Sequence, residues 1–331
     1  MATLRSGLIM RKALKNTPPS IRIHCIDADV PWIVLGTAEL EMEQKPNALT
    51  LNQVITSAIQ NGIQVIDTAS NYYEGQAELV IGKTLADLAK SLHTDNIYVF
   101  TKVGQLTNKE MNDNAACGRG IQGEHWCFDA DYVEMSIKRS ISRLRVSQLD
   151  GVYLHNPEDS ANSESSMAII KRLAPLFESL YVKGLIKYWG VASWSGFYRY
   201  ADDPGSIQLA EIDRFLSSNY KSHHFKLIQS PMGLWNLDTF LTKFQITFDK
   251  EITSMTLLES VNTLGMDLFL SSPYYGGHYL APTKVDSILS PAQNNLLETR
   301  SSAPQALRVV GMRSNKSLTE ASALFKAQYA K

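Results

Sequence analysis

Eight short runs of mostly apolar residues, each followed by a turn and a longer stretch with helical spacing, most restrict the fold of this chain. Apolar runs of this length are typical of strands buried on both faces of a parallel sheet. In chain order the runs are PWIVLGT, IQVIDT, IYVFTKVG, LDGVYLHN, KYWGVAS, FKLIQS, DLFLSS and LRVVGM. The pattern therefore predicts eight buried strands that alternate with helices.

The segments between these runs carry apolar residues at helical spacing. In residues 51–62 the apolar positions fall on one stripe, and Gly62 stands where such a helix would end. Residues 129–144 show the same stripe, with Asp129 or Asp131 as the N-cap, and residues 166–184 and 317–330 are two further helical segments. The alternation predicts a (β/α)8 TIM barrel, a single domain that covers residues 1–331. An open, doubly wound sheet shows the same alternation and is the alternative.

Composition narrows the class of partner. The 331 residues, of which 44% are hydrophobic, suffice for one large core or two ordinary domains. The 32 basic and 33 acidic residues balance, which gives no indication of a nucleic-acid or membrane-surface partner. No apolar run is long enough to span a bilayer. The first twenty residues lack a sustained apolar core, so we expect an ordinary N-terminus rather than a signal peptide.

The cysteines bear on the cellular compartment. Cys25, Cys117 and Cys127 are odd in number and show no CxxC spacing. This pattern predicts no disulfide framework and fits a reducing compartment, so a cytoplasmic location is expected.

Polar or small residues close every predicted strand. In such barrels the chemistry gathers at the C-terminal ends of the strands. The residues at these ends are Gly36 and Thr37, Asp67, Lys102, His155, Ser193, Gln229, Ser272 and Arg313. Taken singly, each has an ordinary structural explanation as a helix cap, a surface lysine or a hydrogen-bonded histidine. Several ionisable types at one barrel mouth together predict an active site.

Four of these positions suggest a reaction. A tyrosine hydroxyl has an ordinary pKa of about 10, and a buried lysine beside it stabilises the phenolate and lowers that pKa. Asp67 at a strand end and Tyr72 on the loop above it are placed to face Lys102, with Asp67 as its counter-charge. His155 is placed to orient a carbonyl by a hydrogen bond. The set predicts proton transfer to an oxyanion as hydride reaches carbon.

The same stretches resemble those of aldo-keto reductases over nearly the whole chain. GIQVIDTASNYYEGQAELVIGKTL is similar to the signature around the family's second strand, VFTKVG to its lysine strand, and SIKRSISRLRVSQLDGVYLHNPED to its histidine signature. KGLIKYWGVAS and LIQS resemble the stretches that hold the nicotinamide, and VVGMRSNKSLTEA the closing cofactor segment. The resemblance implies a (β/α)8 barrel that uses NADP, or alternatively NAD, to interconvert a small-molecule carbonyl and its alcohol.

Residue by residue, the resemblance assigns roles. Tyr72 matches the proton donor, Lys102 and Asp67 its ion pair, and His155 the carbonyl-orienting histidine. Ser193 and Gln229 match residues that bind the carboxamide, and Ser272 and Arg313 lie where the pyrophosphate and the adenosine ribose are held. The expected cofactor site also includes Gly36, Thr37, Gly311 and Lys316.

The chain departs from the family at three places. Trp194 stands where the family usually has asparagine after the serine, and Ser271 stands where an aromatic ring commonly stacks on the nicotinamide. Trp235 is a candidate replacement for that ring. Gly311 occupies the usual lysine position, which leaves Arg313 and Lys316 to meet a 2′-phosphate. YLHNPE resembles the aldose and galactose dehydrogenase-like branch.

Other features give alternatives. GRGIQG, residues 118–123, fits GxGxxG literally but lacks the flanking strand and helix, so we interpret it as a loop that reaches over the substrate with His125 and Trp126. Trp126, Trp194 and Trp235 are the expected substrate-pocket aromatics. The pair at residues 223–224 is interpreted as solvated rather than metal-binding, and no metal site is expected, which disfavours a metal-dependent hydrolase. A cofactor-binding subunit with little turnover is the second hypothesis, and variable loops conceal the substrate's identity and the oligomeric state.

Overall fold

Eight parallel strands close into a barrel in the computed structural model, which describes residues 19–38, 49–92, 94–112, 125–160, 164–247, 253–280 and 289–329. The strands in chain order are β1 (Ser20–Ile23), β2 (Ala28–Pro31), β3 (Ile33–Gly36), β4 (Val65–Asp67), β5 (Tyr98–Val103), β6 (Leu149–His155), β7 (Ile186–Ala192), β8 (Phe225–Pro231), β9 (Gln245–Thr247), β10 (Thr253–Met255), β11 (Asp267–Ser271) and β12 (Leu307–Gly311). The barrel order is β3, β4, β5, β6, β7, β8, β11 and β12, and β12 pairs in parallel with β3. The eight predicted strands and the closed barrel are confirmed, and the open-sheet alternative is wrong.

In the described ranges a helix follows each of the eight barrel strands. The helices are α1 (Leu51–Gln60), α2 (Gln76–Leu88), α3 (Asn108–Asn112), α4 (Ala130–Leu144), α5 (Ser166–Val182), α6 (Leu209–Asn219), α7 (Leu237–Leu241), α8 (Leu257–Thr263), α9 (Pro291–Ser302) and α10 (Asn315–Tyr329). Asp129, not Asp131, caps α4, because its side chain accepts from the backbone N–H of Asp131. Gly62, at a φ of +91°, follows the end of α1 as expected.

Two neighbouring barrel strands, β7 and β8, approach so closely at one point that only glycine fits there. Gly190 of β7 lies beside a bulge, and a Cβ there would sit 1.7 Å from the carbonyl oxygen of Leu227 in β8. The absence of a side chain lets the two strands meet at this point.

An antiparallel hairpin, β1–β2, which the strand pattern did not predict, covers the end of the barrel where strands begin. The buried carboxylate of Asp267, the first residue of β11, accepts hydrogen bonds from the backbone N–H groups of His24 (3.0 Å) and Cys25 (2.9 Å). A second small hairpin pairs β9 with β10. The polar strand ends therefore open at the opposite end of the barrel.

Two expectations differ from the structure. The cysteines predicted no disulfide framework, and their odd number and lack of CxxC spacing did not indicate that Cys127 is disulfide-bonded; Cys25 is a free, buried thiol. His223 and His224 are not solvated: their ring nitrogens lie 3.1 Å from Asp213 and 2.7 Å from Glu178, and both side chains are largely buried. The residues next to this pair in the sequence did not indicate either partner, because Asp213 lies on α6 and Glu178 on α5.

None of the helices in the described ranges combines the length and the apolar character that crossing a bilayer requires.

Candidate active site

Lys102, near the end of β5, is the centre of the polar cluster at the barrel mouth. Its ammonium lies 2.6 Å from a carboxylate oxygen of Asp67, 2.8 Å from the carbonyl oxygen of Thr68 and 3.3 Å from the hydroxyl of Tyr72. The side chains of Lys102 and Asp67 are both almost completely buried. The structure thus brings the predicted ion pair and the predicted proton donor into direct contact.

Hydrogen bonds hold both the carboxylate and the backbone carbonyl of Asp67. Its second carboxylate oxygen accepts a hydrogen bond of 2.7 Å from the side-chain amide of Gln229 in β8. Its backbone carbonyl accepts from both the N–H and the hydroxyl of Thr37, which follows β3. Because three strands contribute to these bonds, the carboxylate has little freedom to turn away from Lys102.

The charge state of Lys102 follows from two opposing effects. Burial by itself lowers the pKa of a lysine, but the charge of Asp67 and the contact with Tyr72 outweigh burial and raise the pKa of Lys102. Lys102 is therefore a cation at neutral pH, at hydrogen-bond distance from the tyrosine oxygen.

His155, at the end of β6, faces Tyr72 from the other side. The two rings lie edge to face, with centroids 6.0 Å apart and planes at 76°. Burial, and next the positive charge of Lys102, lower the pKa of His155 well below its ordinary value. The imidazole is therefore neutral near pH 7 and can donate from only one of its nitrogens.

The turn that carries Tyr72 has an unusual backbone. Tyr73 and Glu74 have φ values of 52° and 58°, and Gly75 follows at +80°. Residues other than glycine seldom adopt this left-handed backbone conformation, so surrounding contacts must hold the turn in place. One such contact is made by Glu74, whose carboxylate accepts hydrogen bonds from the backbone N–H and the side-chain amide of Asn108, which begins α3.

A cavity of about 350 Å³ opens beside this cluster. Its wall includes every predicted catalytic residue and most of the predicted cofactor residues: Gly36, Asp67, Tyr72, Lys102, His155, Ser193, Gln229, Ser272, Gly311 and Arg313. Other parts of the wall were not predicted as site residues: Ala38, Asn156, Ala192, Pro231, Ser271, Pro273, Tyr274, Gly276, Gly277 and Val309. The run SSPYYGG just after the seventh barrel strand was the available signal for several of these.

Thr37 and Lys316 lie away from the cavity wall. Thr37 is fully buried and uses its hydroxyl on Asp67, while Lys316 is exposed on α10 and lies 3.8 Å from Glu320. Their roles in cofactor binding remain predictions.

Ser193 has a partner that the sequence did not reveal. Its hydroxyl donates to Glu158, at 2.6 Å, and the same carboxylate oxygen accepts from the backbone N–H groups of Trp194 (2.7 Å) and Ser195 (3.0 Å). Burial raises the pKa of Glu158, and the bond from Ser193 opposes that shift. Glu158 fixes the loop after β7; its position three residues beyond His155 in HNPED was the only hint.

The three tryptophans predicted to line the substrate pocket do not all lie at the cavity. Trp194 lines the cavity and is 44% exposed, so its ring is available at the mouth. Trp235 donates from its indole N–H to the carbonyl of Ser272 and packs 4.8 Å from the ring of Tyr275. Trp126 forms a bridge with Gln105 beyond β5. Of the three, the described cavity wall includes only Trp194, and the role of Trp235 as a stacking ring remains a prediction.

Two further features complete the site. Among the described residues, no group of three or more His, Cys, Asp or Glu side chains is arranged to hold a metal ion. The GRGIQG stretch lies outside the described residues, so the interpretation as an overhanging loop stays a prediction.

Comparisons with known proteins show what the chain as a whole is similar to. The D-arabinose 1-dehydrogenase of Saccharomyces cerevisiae is 29% identical over 246 residues, which cover 71% of this chain and only 65% of the yeast protein. The glycerol dehydrogenase AKR11B4 from Gluconobacter oxydans superposes with a TM-score of 0.62 at 17% identity, covering 94% of this chain and 93% of that one. An aldo/keto reductase from Klebsiella pneumoniae, in complex with NADP and acetate, gives 0.57 at 18% identity, with 93% and 89% covered.

The structural likenesses, at such low identity, show the fold alone. The model of the aldo/keto reductase family matches residues 32–201, slightly more than half of the chain, and that segment contains all four predicted catalytic residues. The chain belongs to the aldo/keto reductase family.

Proposed function

We propose that this protein interconverts a carbonyl compound and its alcohol with a nicotinamide cofactor, and that Tyr72 transfers the proton. The contact that carries the proposal is the 3.3 Å between the Tyr72 hydroxyl and the Lys102 ammonium, at the wall of a cavity large enough for a small substrate. A cation at this distance favours the phenolate and so makes the hydroxyl a better acid.

Each neighbour has a role that its surroundings support. Lys102 stabilises the negative charge on the Tyr72 oxygen, and Asp67 keeps the lysine charged. His155, neutral because burial and Lys102 lower its pKa, donates a hydrogen bond to the carbonyl oxygen without competing as an acid. Together these groups place a proton and a hydrogen-bond donor where negative charge develops on the substrate oxygen.

The cavity fits a nicotinamide cofactor, which when bound supplies the hydride. Gln229 uses its amide nitrogen on Asp67, so its amide oxygen is the atom that can accept from a carboxamide N–H. A Cβ added at Gly311 would meet nothing within 4 Å, so that strand end leaves space open. We propose NADP as the preferred cofactor, because Arg313 at the cavity wall offers a guanidinium to a 2′-phosphate. The Klebsiella relative described above, which contains NADP, gives further support.

One observation favours the second hypothesis, a cofactor-binding subunit with little turnover. Ser193 commits its hydroxyl proton to Glu158, and Trp194 offers no side-chain amide in the place of the family's asparagine. The carboxamide oxygen therefore lacks the two donors that this loop usually supplies, so the nicotinamide would be held less firmly for reaction.

The test is consumption of NADPH and NADH, followed at the nicotinamide absorbance band, with a panel of aldehydes, ketones and aldoses. Aldoses belong in the panel because the yeast relative is named for D-arabinose. Tyr72→Phe should bind cofactor like the parent and lose about 100-fold or more in turnover. Tyr153→Phe is the matched control, because its hydroxyl is also buried in the barrel but makes no hydrogen bond within the described residues.

The outcomes separate the two hypotheses. Parent-like turnover in Tyr72→Phe contradicts the role of Tyr72. Tight cofactor binding by the parent with no turnover on any substrate, in either direction, supports the binding subunit.

A further inference from the structure

The turn that carries Tyr72 is held from behind by Arg143, in the last turn of α4. One guanidinium nitrogen of Arg143 donates to the carbonyl oxygen of Ser70 at 3.2 Å and lies 3.3 Å from a carboxylate oxygen of Glu78. A Cβ at Gly75 would lie 2.5 Å from the same nitrogen. Gly75 therefore leaves the space that the guanidinium fills, and Arg143 braces the segment on both sides of Tyr72.

Glu78 connects this brace to the lysine strand. Its other carboxylate oxygen accepts a hydrogen bond of 2.7 Å from the hydroxyl of Thr101, the residue just before Lys102 in β5. The backbone N–H of Ser70 also donates to the carbonyl oxygen of Lys102, at 3.0 Å. Arg143 and Glu78 thus link the loop of the proton donor to the strand of its cation, although neither side chain is part of the described cavity wall.

The burial of the Glu78 carboxylate is hard to explain by the stability of the fold alone. Its side chain is completely buried, while Arg143 remains 24% exposed. Burial raises the pKa of Glu78, against the hydrogen bond from Thr101 and the charge of Arg143. A buried ion pair seldom stabilises a fold more than apolar residues of the same volume would, but it does fix geometry. Here the fixed geometry is that of the left-handed turn at Tyr73 and Glu74.

We propose that Arg143 and Glu78 are positioning residues, which set the distance between the Tyr72 hydroxyl and the Lys102 ammonium and thereby the rate of proton transfer. The inference rests on the proposed role of Tyr72 as the proton donor. It adds that the family's reaction in this chain depends on an ion pair outside the cavity, on the outer side of the turn.

The central experiment uses the double variant Arg143→Met/Glu78→Gln, which removes both charges and leaves no unpaired buried carboxylate. Glutamine still accepts from Thr101. We expect kcat to fall about 10- to 100-fold, because a misplacement of about 1 Å has effects of this size. The substrate KM and the cofactor Kd should stay near the parent values. In alcohol oxidation the Tyr72 phenolate accepts the proton, so the rising limb of the pH profile for that direction should move to higher pH, because the phenolate loses part of its contact with Lys102.

Two further variants make the result specific. Arg143→Lys keeps a cation opposite Glu78 on a shorter side chain, so it should fold like the parent and show a smaller loss with the same direction of pH shift. Lys138→Met, on the same helix, removes an exposed ion pair with Glu134 and should leave kcat and the pH profile unchanged. A thermal unfolding curve of each variant shows that the folded protein is being assayed.

Parent-like kcat and pH profile in the double variant and in Arg143→Lys would overturn the inference, as would a rise in KM with kcat unchanged. Tyr72→Phe, assayed in parallel, distinguishes failure of the positioning role from failure of the proposed function. If Tyr72→Phe is inactive and the Arg143 variants are not impaired, only the positioning role fails. If Tyr72→Phe retains turnover, the proposed function fails and the positioning role fails with it.

Discussion

Replacing Lys102 with methionine is the perturbation that most directly tests the proposed chemistry. Methionine has nearly the length of lysine and fits a buried site, but it carries no charge. In the structure the Lys102 ammonium lies 3.3 Å from the Tyr72 oxygen and 2.6 Å from Asp67. The substitution therefore removes a cation from the proton donor and leaves one carboxylate buried without its counter-charge.

The size of the effect on catalysis can be estimated from the distance. A phenolate and an ammonium 3.3 Å apart interact by about 5 kcal/mol at an effective dielectric constant of about 20. Each 1.36 kcal/mol changes a rate about tenfold, so the ceiling is roughly 10³- to 10⁴-fold. Only part of that interaction is present in the transition state, so we expect kcat at neutral pH to fall about 10²- to 10³-fold.

Stability should change as well and must be separated from catalysis. Breaking a buried ion pair by removing one partner costs about 3–5 kcal/mol in the free energy of unfolding. The double variant Lys102→Met/Asp67→Asn removes the leftover charge, so it should recover most of this stability without recovering activity. Chemical denaturation with urea gives the free energies of unfolding, and steady-state kinetics across pH give kcat and KM for the same preparations.

Two results would refute the reasoning. If Lys102→Met keeps turnover within tenfold of the parent and the same pH profile, the ammonium does not assist Tyr72. If the double variant regains activity along with stability, the loss in the single variant came from the unpaired carboxylate and not from the missing cation.

Further predictions follow from the same contacts. Tyr72→Phe and Lys102→Met should not be multiplicative when combined, because groups that act as one unit are non-additive; kinetics of the double variant that show multiplied losses would contradict the coupling. Arg313→Ala should weaken NADP binding more than NAD binding, as measured by the two dissociation constants; equal losses would mean that Arg313 does not contact the 2′-phosphate. The folded-state pKa of His155 is lowered, so the unfolded chain takes up that proton first as pH falls below about 6.5. The parent should therefore lose up to about 1.4 kcal/mol of stability per pH unit more than His155→Gln, and equal slopes in urea titrations would count against this. Gly190→Ala should destabilise the barrel by about 3 kcal/mol or more, because its Cβ would meet the neighbouring strand; a near-parent urea midpoint would show that the close approach relaxes.

The barrel could be predicted from the sequence because its strands are buried on both faces. A strand such as IVLG must be apolar throughout, and the alternation of such a strand with a helix occurs eight times along the chain. The polar ends of the strands could be predicted for the same reason. Asp67, Lys102 and His155 each stand at the C-terminal end of a strand or one residue before it, and parallel strands bring their C-terminal ends to the same edge of the barrel.

Other contacts have no signal at short range in the sequence. Nothing near Ser193 indicates that its hydroxyl donates a hydrogen bond to Glu158, and nothing near Gly75 indicates that Arg143 fills the space beside that glycine. These pairs lie far apart along the chain, and helix packing against the barrel decides which side chains meet. A side chain's type is a local property of the sequence, whereas its partner depends on how separate elements pack. The residue types of the site were therefore available from sequence, while the contacts that orient them were decided only by the tertiary structure.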